Sequence, residues 1–174
     1  IAFCCTLGSM MGGPHYDQEI IRRIEETSGV PAITTTSAVK ASLDALGVNR
    51  VAVATPYTVE IDELEKKLLE MIGYQVTNII GYHEHVSPEN FRNDMIGRLY
   101  PEEAYNLGMK VTDERNEVIF ISCTNFRAIE IIQRLEDSTG KFVISSNQAT
   151  MWHAIRKLAI QDPKQGYGRL FDIA

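Results

Sequence analysis

Short unbroken apolar runs alternate along the chain with segments in which apolar residues recur every third or fourth position. The runs fall at residues 1–5, 30–34, 51–55, 75–80, 118–122 and 142–145. Runs of this length without polar alternation predict strands buried on both faces, as in a parallel sheet, and the helical period between them predicts crossover helices. That period is clearest over 17–26 and 129–135, where Gly29 and Gly140 follow as stops. Further helices are predicted over 37–46 ending at Gly47, 59–72 ending at Gly73, and 148–159. Pro56 and Pro88 suit first helical turns. Residues 81–100 break the pattern, with Gly81, His83, His85, Pro88 and Gly97 among polar neighbours. They predict a long loop with a helical turn, the kind of segment that often carries function.

The pattern also repeats. Phe3-Cys4-Cys5-Thr6 and Ile121-Ser122-Cys123-Thr124 each end an apolar run and precede a similar helix-turn-strand sequence. Laid on each other, the copies share Ile20/Ile131, Ile21/Ile132, Arg23/Arg134, Glu25/Glu136, Gly29/Gly140, Ile33/Ile144 and Ala38/Ala149, and the first copy is longer by a Gly-Ser-Met-Met-Gly-Gly stretch. Two homologous halves, each presenting one thiol, predict a paired-cysteine site.

Composition narrows the function classes. A chain of 174 residues with 44% hydrophobic content can bury a substantial core. The formal charge of -6, with Lys and Arg scattered among Asp and Glu, leaves no broad basic surface, so no nucleic-acid partner is expected. No apolar stretch approaches the ~20 residues that cross a bilayer, so no membrane partner is expected. Three unevenly spaced cysteines do not make the framework of a small secreted domain, which points to a reducing, cytoplasmic setting. The chain begins at Ile1, without a methionine, inside what reads as a buried strand.

Ligands of open parallel sheets bind outside the carboxyl ends of the strands, where Cys5 and Cys123 both stand. The following amides, of Thr6 and Leu7 in one half and Thr124 and Asn125 in the other, suit an anion or a thiolate. Such a setting can lower a cysteine pKa from ~8.5 into the ~3.5–7.5 range. Facing each other across a pseudo-twofold axis, the thiols would serve proton removal on one substrate face and delivery on the other. A single strand-end cysteine is ordinarily a small hydrophobe, and Cys4, whose repeat partner is Ser122, reads as packing. Tyr57 lies after the strand at 51–55 and its hydroxyl is placed to reach the same cleft, the competing reading being structural. Thr34, Thr35, Ser145, Ser146 and Asn147 read as helix caps. His83-Glu84-His85 lacks a third ligand for a metal, and the Gly8 to Gly13 segment lacks the spacing of a nucleotide site; neither metal nor cofactor is expected.

These residues together resemble the aspartate/glutamate racemase superfamily, and within it the branch of maleate cis-trans isomerase, arylmalonate decarboxylase and the ectoine-utilisation isomerase-like proteins. The likeness rests on Cys5-Thr6, Gly29-Val30-Pro31 through Ser37-Ala38, Ala45 through Tyr57, Ser122-Cys123-Thr124-Asn125, Ser145 through Ala149 with Trp152, and Gly166 through Phe171. It implies an α/β fold of two pseudo-symmetric lobes, each a four-stranded parallel sheet flanked by helices, around a cofactor-free site. One lobe would comprise 1–47 plus 148–174 and the other 48–147. Family members carry an upstream segment that supplies two strands of the first lobe, so the first lobe is expected to be N-terminally truncated here.

The resemblance also implies roles: Cys5 and Cys123 catalytic; Thr6, the Leu7 amide, Tyr57, the Thr124 amide and Asn125 on a substrate carboxylate. Arylmalonate decarboxylase has glycine at the position of Cys5, so two thiols favour a cofactor-independent isomerase or racemase acting on a small carboxylate or dicarboxylate, with homo-oligomers possible. A decarboxylase releasing carbon dioxide from a substituted malonate is the alternative enzyme. A redox-sensing or ligand-binding module, oxidised at Cys4 and Cys5, is the alternative without turnover.

Overall fold

The computed structural model describes residues 1–13, 15–85, 92–160 and 165–173. Its first run shortens to strand β1 (Ala2–Phe3), because the Cys5 sulfur accepts the Gly8 amide at 3.3 Å and starts a short helix, α1 (Thr6–Met10), that the apolar pattern did not predict. Helix α2 (Tyr16–Ser28) ends where Gly29 takes a left-handed φ of 71°, and β2 (Ile33–Thr34) returns parallel to β1. The second copy repeats these steps. Strand β5 (Val118–Ile121) leads through a 3-10 turn to α7 (Ile132–Thr139), which stops at Gly140 with φ 69°, and β6 (Phe142–Ser145) pairs parallel with β5.

Each copy closes with a helix launched by the same local device. In α3 (Thr35–Leu46) the Thr34 hydroxyl accepts the Ser37 amide while the Ser37 hydroxyl meets the Thr34 backbone; in α8 (Ser146–Lys157) Ser145 and Gln148 do the same. These reciprocal caps satisfy amides that a helix start leaves without partners. The caps predicted at Thr34 and Ser145 are therefore present. Asn147 is a correction: it lies inside the first turn of α8 and its side-chain amide donates to the Thr124 carbonyl at 2.9 Å.

Between the copies lie β3 (Arg50–Thr55), α4 (Val59–Met71), β4 (Gln75–Gly81), α5 (Asn93–Ile96) and α6 (Pro101–Val111). Pro56 does not enter a first helical turn; α4 starts later, after Thr58. Pro88 lies outside the described residues. The main sheet runs β4-β3-β5-β6, all parallel, and β1-β2 forms a separate two-stranded sheet.

Alternation along the main sheet divides the core in two. Val51, Val53, Val118, Phe120 and Ile144 pack on one face with Leu43 of α3, Leu69 of α4 and Trp152 of α8. Ala52, Ala54, Ile119, Ile121 and Val143 pack on the other with Leu107 of α6 and Leu135 of α7. Both faces are sealed, as parallel strands require. No helix among the described residues is long and apolar enough to cross a membrane.

Candidate active site

The carboxyl ends of β3, β4 and β5 deliver Tyr57, His83 and Cys123 to one edge of the main sheet. Tyr57 is held at both backbone groups. Its amide donates to the Thr55 hydroxyl oxygen at 3.2 Å, and its carbonyl lies 2.9 Å from His83 Nδ1. Asp62, buried on α4, ties these supports together: the Thr55 hydroxyl donates to Oδ1 at 2.5 Å, and His83 Nδ1 stands 3.4 Å from Oδ2. Gly81 has to be glycine for this arrangement, since a Cβ there would collide with the Asp62 carboxylate and the His83 ring. His83 is thus committed to Tyr57 and Asp62. The side chain of His85 lies outside those described.

The Cys123 thiol and the Ser122 hydroxyl are the polar side-chain neighbours that act on the Tyr57 phenol. Burial, reinforced by Glu65 and Cys123, pushes the Tyr57 phenol above its ordinary range, so it stays a neutral donor. Burial likewise pushes the Cys123 thiol up, against the pull of the Tyr57 hydroxyl and the Asn125 and Phe126 amides. This corrects the expectation of a lowered thiol: here desolvation outweighs the amide donors, and Cys123 is a protonated thiol near neutral pH. The Asn125 amide donates to its sulfur at 3.4 Å. Cys123 also has a φ of 84°, a left-handed backbone that a residue with a Cβ adopts at a cost.

The other thiol is set differently. Cys5 is exposed, in extended backbone, at the cap of α1. The amides of Thr6 and Leu7 open that helix and have no intrahelical acceptor. The Thr6 side chain faces inward, donating to the Ser146 hydroxyl at 2.8 Å. Cys4 is exposed too, against the expectation that it packs.

One hydrogen bond joins the two cysteine segments, and a second holds it in place from α8. The Thr124 hydroxyl donates to the Cys4 carbonyl at 3.2 Å, across the repeat, and Asn147 fixes the Thr124 carbonyl from α8. An apolar groove of about 470 Å³ lies nearby, lined by Arg127, Asn147, Met151 and Phe171 among others, and neither thiol lines it. The Asp62 and Glu65 carboxyls, both buried behind the site, were not picked out from the sequence. Their signal was legible: three residues apart on the helix after β3, they fall on its core-facing side with Leu68 and Leu69.

The parallel α/β fold and the sequence match a known class of enzymes. The arylmalonate decarboxylase of Bordetella bronchiseptica is 29% identical over 174 residues, covering 94% of this chain and 67% of that protein. The maleate isomerase of Alcaligenes faecalis is 25% identical, covering 92% and 64%. The chain thus spans about two thirds of the length of these relatives. A crystal structure of arylmalonate decarboxylase superposes with a TM-score of 0.86 at 26% identity, over 99% of this chain and 75% of that one. A Nocardia farcinica maleate cis-trans isomerase, a cysteine-to-serine mutant with a covalently bound succinylcysteine intermediate, superposes at 0.89 with 21% identity, over 98% and 70%.

The fold is therefore that of the aspartate/glutamate racemase-like superfamily. Within it, the sequence model of the family described as arylmalonate decarboxylase matches residues 1–171, and the chain belongs to that family.

Proposed function

We propose that the protein is a cofactor-independent cysteine isomerase acting on a small cis-dicarboxylate. The observation that carries this reading is the pairing of two unlike thiols, exposed Cys5 and buried, protonated Cys123, on segments joined by the Thr124 to Cys4 hydrogen bond. The Cys5 thiolate adds to one carbon of the double bond; the carbon–sulfur bond forms as the π bond breaks, and the electron pair moves into the adjacent carboxylate as an enediolate. Cys123 gives its proton to the neighbouring carbon. The central bond is now single and rotates. The Cys123 thiolate then removes that proton, the carbon–sulfur bond breaks, and the trans diacid leaves with Cys5 restored as thiolate. Donors fixed in advance, the Tyr57 hydroxyl and the amides of Thr6, Leu7, Thr124 and Asn125, offset the developing charge. The succinylcysteine in the Nocardia relative is the adduct this sequence of steps would form.

Membership of the arylmalonate decarboxylase family favours a second reading. There a substituted malonate loses carbon dioxide and Cys123 alone protonates the enediolate. The test is proton NMR in deuterated water with maleate, aspartate, hydantoins and arylmalonates, using the protein from its complete open reading frame and its Cys5→Ala and Cys123→Ala forms. Isomerisation of maleate, lost in both single mutants, is the expected result. Full isomerase activity in either mutant overturns the isomerase reading, and carbon dioxide release that survives Cys5→Ala establishes the second.

A further inference from the structure

Glu65 has no role in the chemistry above, yet it is 2% exposed, directly behind the reacting thiol. Its Oε1 lies 2.6 Å from the Ser122 hydroxyl, and its Oε2 is buried with no hydrogen-bond partner among the described residues. A carboxylate in that position would leave a charged oxygen unsolvated, whereas the acid leaves only a weak carbonyl-type acceptor or hydroxyl unpaired. The next link is Tyr57, whose phenol has the Ser122 hydroxyl and the Cys123 thiol as its polar side-chain neighbours. Four groups thus form one file: the Glu65 carboxyl, the Ser122 hydroxyl, the Tyr57 hydroxyl and the Cys123 sulfur.

Only one proton arrangement lets every hydroxyl in this file donate toward the sulfur. Glu65 must be the acid and donate to Ser122, which frees the Ser122 proton for the Tyr57 oxygen and the Tyr57 proton for the sulfur. Once Glu65 is ionised, Ser122 has to turn and donate to it. Tyr57 then loses its donor, and a negative charge stands behind the thiol.

We infer that Glu65 is a positioning residue for the proposed reaction, a buried carboxylic acid that orients the Ser122–Tyr57 relay toward Cys123 and disarms that thiol when it gives up its proton. The inference rests on Cys123 being the reacting thiol, but its test does not require turnover. The ionisable groups facing Glu65 are Asp62 on its own helix, Tyr57 from the end of β3 and Cys123 from the end of β5. His83, from the turn after β4, reaches Asp62 and not Glu65. Helix α1, which also packs on α4, carries no ionisable side chain. Burial, with Asp62 adding to it, pushes the Glu65 carboxyl up to about 8, so the acid form is the working one near neutral pH.

The experiment is the pH profile of iodoacetamide alkylation, followed by mass spectrometry at Cys4, Cys5 and Cys123 separately in the folded protein. Glu65→Gln keeps a donor toward Ser122 and cannot ionise; the Cys123 midpoint should fall by roughly half a pH unit or more. Ser122→Ala cuts the relay but leaves the acid in place, and the Cys123 midpoint should rise. Cys4 and Cys5, outside the file, should keep their parent profiles and report that the fold is intact. Opposite shifts confined to Cys123 support the relay. An unchanged Cys123 midpoint in Glu65→Gln, or shifts of the same sign in both variants, overturns it. If maleate is not turned over but the opposite shifts appear, the relay stands and the isomerase reading fails.

Discussion

The two copies of the repeat start from nearly the same residues and reach different surroundings. Both have a parallel strand pair, a glycine stop with positive φ and a reciprocal cap at the next helix. In the second copy the strands lie inside a four-stranded sheet and every residue of β5 is buried; in the first they form a two-stranded sheet and Ala2 is exposed. The cysteines follow suit, Cys5 open to solvent and Cys123 tucked against Tyr57. Caps and stops are local chemistry and survive duplication. Burial is a property of what packs outside the copy, and it pushes the Cys123 thiol up while Cys5 stays open to solvent.

The sharpest way to break this division of labour is to remove each thiol in turn. Cys5→Ala and Cys123→Ala should each lower maleate turnover by about 10³-fold or more, while single-turnover proton exchange with solvent survives longer in the variant that keeps Cys123. Equal residual exchange in both would mean that the thiols are interchangeable. Next in size, Tyr57→Phe removes the hydroxyl that acts on the Cys123 thiol and that is proposed above to offset substrate charge. It should cost about 10²-fold or more in kcat, with the Cys123 alkylation midpoint moved upward.

The stability of the protein should also depend on pH through Glu65 of α4, which lies between the copies. Glu65 holds its proton to about 8 in the folded protein against 4.5 ordinarily, so between these values the folded state binds more protons than the unfolded one. Stability is therefore untouched by Glu65 below about 4.5, falls as pH rises through this window and levels off above about 8. Denaturant melts of Glu65→Gln should show a gain over the parent that grows from pH 5 to pH 8; a constant difference would count against a buried acid. Smaller again is the paired test of the caps. Thr34→Ala and Ser145→Ala should cost about 0.5–2 kcal/mol each by urea melts, and similar costs would show that this signal is blind to the burial of its strand. Smallest is Cys4→Ser, expected to leave turnover within about twofold because the Cys4 side chain is exposed and its hydrogen bond goes to the Ala2 carbonyl.

Much of this arrangement is legible in the sequence. The glycine stops, the caps at Thr34 and Ser145 and the strand-end cysteines are short-range signals, and the doubled copy made them mutually supporting. Helix α6 lies outside the predicted elements, although Pro101 in its first turn, followed by Glu102 and Glu103 and buried Ala104, Leu107, Gly108 and Val111, is a helical stripe. Helix α1 is hidden in the sequence because a cysteine is an unusual cap. The Cys123 thiol departs from the sequence expectation because amide donors can be counted along a sequence, whereas desolvation depends on how deeply the third dimension buries the sulfur. The Glu65 to Ser122 contact joins residues 57 positions apart, which no local pattern encodes.

The left-handed backbone at Cys123 carries an evolutionary consequence. Glycine would occupy that conformation without strain, and a single base change separates the two codons, so drift guided by stability alone would keep steering this position toward glycine. A lineage in which the chemistry lapsed should lose its sulfur here early, with its fold improved by the loss. Retention of cysteine at this strained turn in active descendants would then be a running record of selection for the reaction.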